Sequence, residues 1–229
     1  MNYDDLKKAV DAVLAPFTAR AQLQTGATGA NNSAAAYEAF LLSCLIRSIQ
    51  TNGWTVSAHP PRPVFIVPGN QCSFRGFGTT YSCIEFTTAK RTYWAMTSTC
   101  GQGYSPSSEM EGDVIVVDRD DAVTWQALGV QPVFGGLYAL VEAKDHANGV
   151  GRMEGKSFIG ICQQLRRQPC VEAFVSSKNI TNNARLMLAN NGGPFGRLAF
   201  YERVSPLLAD IPFVTLFVSD LAIRLAARL

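Results

Sequence analysis

The chain has 229 residues, enough for one large domain, and 47% of them are hydrophobic, which excludes an intrinsically disordered chain. Its formal net charge is +2, from 20 basic and 18 acidic residues, so it is neither a polybasic arm nor an acidic tail. No apolar run approaches the roughly 18 residues that span a bilayer, and the opening Met1-Asn2-Tyr3-Asp4-Asp5 has no signal-peptide core.

These features predict no membrane contact and a cytoplasmic location. The six cysteines lack Cys-x-x-Cys spacing. Reduced, buried thiols fit them better than a zinc site, for which Cys72, Cys83, Cys100 and His59 are a conceivable set.

In chain order, the spacing of Leu6, Val10, Val13, Leu14 and Phe17 predicts a helix over 4–23, kinked or ended by Pro16. Turn formers then fill 25–32. Ser33 is a plausible N-cap for a second helix over 34–50, with Glu38, Leu41, Leu42, Leu45 and Ile49 on its inner stripe. Glu38 is the polar member of that stripe. It reads either as a carboxylate at the rim of the core, favoured in a first helical turn, or as one acid of a buried site. Asn52-Gly53 closes the helix. Trp54–Val56 is extended, and four prolines between Pro60 and Pro68 stiffen the next stretch around a short edge strand, Val64–Val67.

The β-branched and aromatic residues from Thr79 to Thr97 predict paired strands turning at Ala89-Lys90-Arg91. Their aromatics fit a sheet face better than a base-stacking platform. The run Glu111-Gly112-Asp113-Val114-Ile115-Val116-Val117-Asp118 is the next strand. Residues 119–136 read as a surface excursion. Leu137–Lys144 is again a strand, and its period of two puts Glu142 and Lys144 on one face. After a polar, Gly-rich stretch, a third helix over 156–168 buries Phe158, Ile161, Cys162 and Leu165 and turns Gln163, Gln164, Arg166 and Arg167 outward. That outer face is either solvated or in contact with phosphates. Val171–Ser176 is a strand, Arg185–Ala189 and Leu198–Tyr201 are further extended pieces, and Phe213–Arg228 is a helix that packs on the core or on a second subunit. No repeat or clean linker divides the chain. We read one domain over 1–229: an accessory N-terminal helix over 4–23, a core over about 33–177, and a C-terminal extension over 178–229.

An Asp at the head of one strand, then Glu-x-Lys on a later one, is carried here by Asp113 and by Glu142-Ala143-Lys144. With the order α-β-β-β-α-β, it resembles the PD-(D/E)XK nuclease superfamily, the restriction-endonuclease-like fold. Gly112 stands where a Pro or apolar residue is usual. The resemblance implies an α/β fold with a central mixed sheet flanked by helices, here with added N- and C-terminal helices. It implies a metal-dependent endonuclease, with DNA as the first expected substrate and RNA the second. Mg²⁺ is the expected cofactor, with Mn²⁺ able to substitute. Asp113 and Glu142 would be ligands, joined by the Ala143 carbonyl. Lys144 would serve the attacking water, and Glu38 a second ion. Gln164, Arg166 and Arg167 would meet the nucleic acid. Glu111, two positions upstream on the same face, is the rival of Asp113, and His146 is a minor candidate at the scissile phosphate. In style the chain is similar to bacterial restriction and phage-defence nucleases. Such nucleases include ones switched on by a partner protein or a nucleotide messenger. A homo-oligomer is a separate expectation.

Other chemistries fit less well. Only two histidines exist, and no Gly-x-Ser-x-Gly, Walker A or dinucleotide fingerprint is present. The rival reading from another class is a catalytically silent nucleic-acid-binding or assembly module of the same fold.

Overall fold

The computed structural model describes residues 2–23, 29–69, 72–102, 109–133, 136–145, 149–164, 170–191 and 198–229. Among them are the helices α1 (Tyr3–Leu14), α2 (Gly29–Thr51), α3 (Arg119–Leu128), α4 (Arg152–Gln164), α5 (Asn182–Asn191) and α6 (Ile211–Arg228). The strands are β1 (Arg20–Leu23), β2 (Thr55–His59), β3 (Val64–Val67), β4 (Cys83–Thr87), β5 (Thr92–Gln102), β6 (Glu109–Asp118), β7 (Ala139–Lys144), β8 (Val171–Ser176) and β9 (Leu198–Tyr201). Seven strands form one sheet in the order β2-β4-β5-β6-β7-β8-β9. Pairing is antiparallel from β2 through β7 and parallel from β7 through β9. The fold is therefore mixed α/β, a central mixed sheet flanked by helices.

Both faces of the sheet are covered, and the sequence of β6 follows from that. Val114 and Val116 join one apolar cluster with residues of α1, α2 and α6, while Ile115 and Val117 join another with residues of α3, α4 and α5. A strand buried on both sides reads as an unbroken apolar run rather than an alternation. The second helix is also enclosed, from Ala35 to Ile46, with Glu38 the partly exposed exception. It lies among the sheet, α1 and α6, which explains why its apolar residues go most of the way round.

Several expectations need correction. The first helix stops at Leu14 instead of running through residue 23. Pro16 would lose a ladder bond and clash with the preceding turn, so Phe17 and Thr18 close back on the Leu14 carbonyl. Residues 20–23 then become β1, which pairs in parallel with β3 in a separate two-stranded sheet, so Val64–Val67 is not an edge of the main one.

The excursion over 119–136 contains α3. Asp118 caps it by accepting from the N–H groups of Asp120 and Asp121, and Gly129 ends it at φ 70°. Arg185–Ala189 lies in a helix, α5, with Ala184 and Leu188 buried one turn apart. Within the stretch 178–229, β9 adds an edge strand to the main sheet. The second helix begins at Gly29, and Ser33 has a task other than capping, described below.

Candidate active site

Three neighbouring strands bring Ser98, Asp113 and Glu142 into one line. The β5–β6 pairs Thr97–Val114 and Thr99–Gly112 set Ser98 opposite Asp113. The β6–β7 pair Val114–Val141 sets Asp113 opposite Glu142, where the regular ladder has ended. Asp113 is only 9% exposed and Glu142 6%. Lys144 is two residues beyond Glu142 and shares its face. Its Nζ lies 2.5 Å from Glu142 Oε1 and 3.9 Å from Asp113 Oδ2. Asp113 Oδ2 also accepts the backbone N–H of Ala143 at 2.6 Å. Glu38 joins from α2, where its Oε2 accepts a hydrogen bond from Ser98 Oγ.

The charges do not balance. Among the described residues, four carboxylates, Glu38, Glu111, Asp113 and Glu142, act on one another around one ammonium, Lys144. Burial pushes the Glu38 carboxyl up to about 8, against the Ser98 hydrogen bond, and Glu111 and Glu142 add to the push. Asp113 is held well above the usual carboxylate range by burial, then by Glu142 and Glu38. Glu111 is raised by burial and by Glu142. Burial alone would lower Lys144, but Glu142 and Asp113 outweigh it and raise the group. Burial is the larger cause of each rise at Glu38, Glu111 and Asp113, and repulsion from neighbouring carboxylates adds to it.

These donors suit a hard divalent cation: they are carboxylate oxygens, and an added cation would relieve the repulsion among them. The Thr97 hydroxyl, beside Ser98 in β5, is buried without a hydrogen-bond partner among the described residues. Asp113 and Glu142 are the residues that would hold such an ion, with Glu38 behind them. Among the described residues, however, no three His, Cys, Asp or Glu side chains are grouped tightly enough to form a ready-made cage. In this arrangement Lys144 occupies Glu142 Oε1, and Ala143 N–H occupies Asp113 Oδ2.

Of the residues singled out from the sequence, Glu38, Asp113, Glu142 and Lys144 come together. Glu111 is nearby and partly buried on β6, but it is Asp113 that meets Lys144 and Ala143. Arg166, Arg167 and His146 lie outside the described residues, as does the side chain of Gln164. Cys72, Cys83, Cys100 and His59 form no metal-holding group, and none of the six cysteines is in a disulfide. His59 instead stacks on Trp94 with ring centroids 4.9 Å apart.

Sequence reasoning missed two residues. Ser98 carries no recognisable motif. Asp145 accepts from Ser33 Oγ at 3.1 Å and from Ser177 Oγ at 2.5 Å, tying the start of α2 to the end of β8 just past Lys144. The helix-capping signal at Ser33 was therefore a tertiary contact.

An open cleft of about 640 Å³ lies elsewhere, toward the start of β5, and is lined by His59, Glu85, Trp94, Arg119 and Gln126 among others. Its polar groups are largely satisfied by one another: Trp94 Nε1 donates to Glu85 at 3.0 Å, and Gln126 Nε2 donates to the Phe77 carbonyl at 2.8 Å. The chemistry is better sought at the carboxylates, where buried like charges converge. No described helix is long and apolar enough to cross a membrane.

No family model matches the chain, and no curated protein matches it. Among solved structures it is similar to a protein of unknown function, AF1548, at 16% identity, with a TM-score of 0.34. That match covers 53% of this chain and 55% of the other, and at this level it carries no argument.

Proposed function

We propose that the chain is a metal-dependent nuclease of PD-(D/E)XK type with a restriction-endonuclease-like core, acting on DNA in preference to RNA. The observation that carries the proposal is the meeting of Asp113, Glu142 and Lys144 at the end of the β6–β7 ladder, in a cluster short of positive charge. The strands β5, β6 and β7, then α4 and β8, after the helix α2, give the α-β-β-β-α-β order expected for that core, with β2, β3 and β4 added after α2 and α3 inserted between β6 and β7.

Hydrolysis adds a water oxygen to phosphorus and breaks the bond to the leaving oxygen, which must gain a proton. Bound at Asp113 and Glu142, Mg²⁺ or Mn²⁺ would supply Lewis acidity toward the phosphate and a more acidic water. Asp113 and Glu142 orient the site, fixed by the Ala143 N–H and by Lys144. Lys144, whose Nζ lies beside Glu142 and Asp113, would orient or deprotonate the attacking water and offset charge building on the phosphate. Glu38, held by the Ser98 hydroxyl, is a further oxygen donor for the cation.

The test is cleavage of plasmid, linear duplex, single-stranded DNA and RNA with Mg²⁺ or Mn²⁺. We expect cleavage of DNA that EDTA, Asp113→Asn and Lys144→Met each abolish. Cleavage that survives both substitutions would place the activity elsewhere. No cleavage, with no metal binding that depends on Asp113 and Glu142, would leave the silent nucleic-acid-binding or assembly module as the better reading.

A further inference from the structure

We infer that Ser98 is a positioning residue of this site, a strained strand residue kept in place to hold the Glu38 carboxylate against the acids of β6 and β7. What that placement achieves rests on the nuclease reading; the brace itself rests on geometry.

Ser98 is 1% exposed and lies within β5, yet its φ is 50°. L-residues with a side chain rarely adopt that conformation, because Cβ then crowds the carbonyl. The strain interrupts the ladder at this one position, between the Thr97–Val114 and Thr99–Gly112 pairs. Strained residues persist where their surroundings over-determine them, and here three contacts do so. The Ser98 carbonyl accepts the Cys72 N–H at 2.9 Å and the Cys72 Sγ–H at 3.2 Å. Cys100 N–H returns to the Cys72 carbonyl at 3.2 Å, so the segment at Cys72 grips β5 on both sides of the distortion. The Ser98 hydroxyl, in turn, donates to Glu38.

A backbone requirement alone would be met with less strain by glycine, which enters this region freely. Glycine could not reach Glu38. A serine at a glycine-like position, with its hydroxyl on a carboxylate opposite Asp113, is accounted for by what the hydroxyl holds. Glu38 otherwise has three rotatable torsions, and the Ser98 hydroxyl fixes the position of its carboxyl group. Anchoring it beforehand removes an ordering cost from cation binding.

The experiment compares wild type with Ser98→Gly and Ser98→Ala, alone and in a Glu38→Gln background. It measures Mg²⁺ affinity by calorimetry, Mg²⁺-dependent cleavage, and melting temperature in EDTA. If Ser98 acts through Glu38, Ser98→Gly and Ser98→Ala weaken Mg²⁺ binding alike, by about tenfold, as loss of a ligand-orienting partner does. Cleavage falls with it and recovers in part at high Mg²⁺. The two variants separate in stability: the glycine variant melts at or above wild type because strain is relieved, and the alanine variant melts below it. In the Glu38→Gln background neither substitution changes Mg²⁺ affinity further. A purely structural Ser98 gives a different result, in which affinity follows melting temperature and the glycine variant binds Mg²⁺ as wild type does; that overturns the inference. A wild type that neither binds Mg²⁺ nor cleaves overturns the nuclease reading, and this inference with it. A wild type that does both beside an unaltered Ser98→Gly overturns this inference alone.

Discussion

Asp113 Oδ2 accepts the backbone N–H of Ala143 at 2.6 Å, so a side chain on β6 satisfies a backbone group on β7 beyond the last regular pair, Val114–Val141. The contact gives Asp113 two tasks. It satisfies a buried backbone donor, and it presents a carboxylate beside Glu142 and Lys144.

Those tasks separate by substitution. Asp113→Asn keeps an acceptor for Ala143 and loses the charge, so the fold should hold while Mg²⁺ binding and cleavage are lost, cleavage by at least about 100-fold. Asp113→Ala also strands the Ala143 N–H, and should cost about 1–3 kcal/mol of stability in addition. Urea unfolding beside a cleavage assay distinguishes the two. Saturating Mg²⁺ should raise the melting temperature of wild type and leave both variants unmoved.

Lys144→Met removes the ammonium that meets Glu142 and Asp113. At alkaline pH, above the raised range of Asp113, the two carboxylates would face each other uncompensated, and we expect a loss on the order of 3 kcal/mol. The loss should shrink as the pH falls, because Asp113, already raised by burial, takes up a proton readily. Urea titrations at acidic and at mildly alkaline pH measure it; equal losses at both would show that the ion pair contributes nothing.

Glu38 makes the metal-free protein sensitive to pH. Its carboxyl rises from an ordinary 4.5 to about 8 on folding, so the folded state binds the proton more tightly than the unfolded state does. Its contribution to stability is full below the unfolded value and declines as pH rises through the folded one. In EDTA, wild type should therefore lose melting temperature between about pH 5 and about pH 8 more steeply than Glu38→Gln. Parallel slopes for the two proteins would contradict the assigned direction.

A control lies away from the site. Gly129 ends α3 at φ 70°, a left-handed conformation in which a residue with a Cβ is strained. Gly129→Ala should cost at least about 1 kcal/mol in chemical unfolding while leaving Mg²⁺ affinity unchanged. A change in affinity would mean that α3 and the site are coupled.

Local pattern determined a good deal of this protein. Period-two alternation placed Glu142 and Lys144 on one face, the apolar run after Asp113 announced a buried strand, and the polar intruder on the second helix singled out Glu38. Each of those signals is carried by neighbours in the chain, so it survives without knowledge of the fold. The elements misread as loop or strand, α3 and α5, are short helices with few buried residues, and their caps at Asp118 and Thr181 are weak signals beside the Gly- and Asn-rich surroundings.

Tertiary structure alone decided the rest. Strand register aligned Ser98, Asp113 and Glu142. The grip of Cys72 on the Ser98 carbonyl held β5 in its left-handed kink, and Ser33 was drawn away from helix capping to Asp145. A sequence specifies which way a side chain points along its own strand. The distance between side chains on different strands depends on long-range pairing, which brought Glu111, Asp113 and Glu142 near one lysine, while the packing of α2 on the sheet brought Glu38.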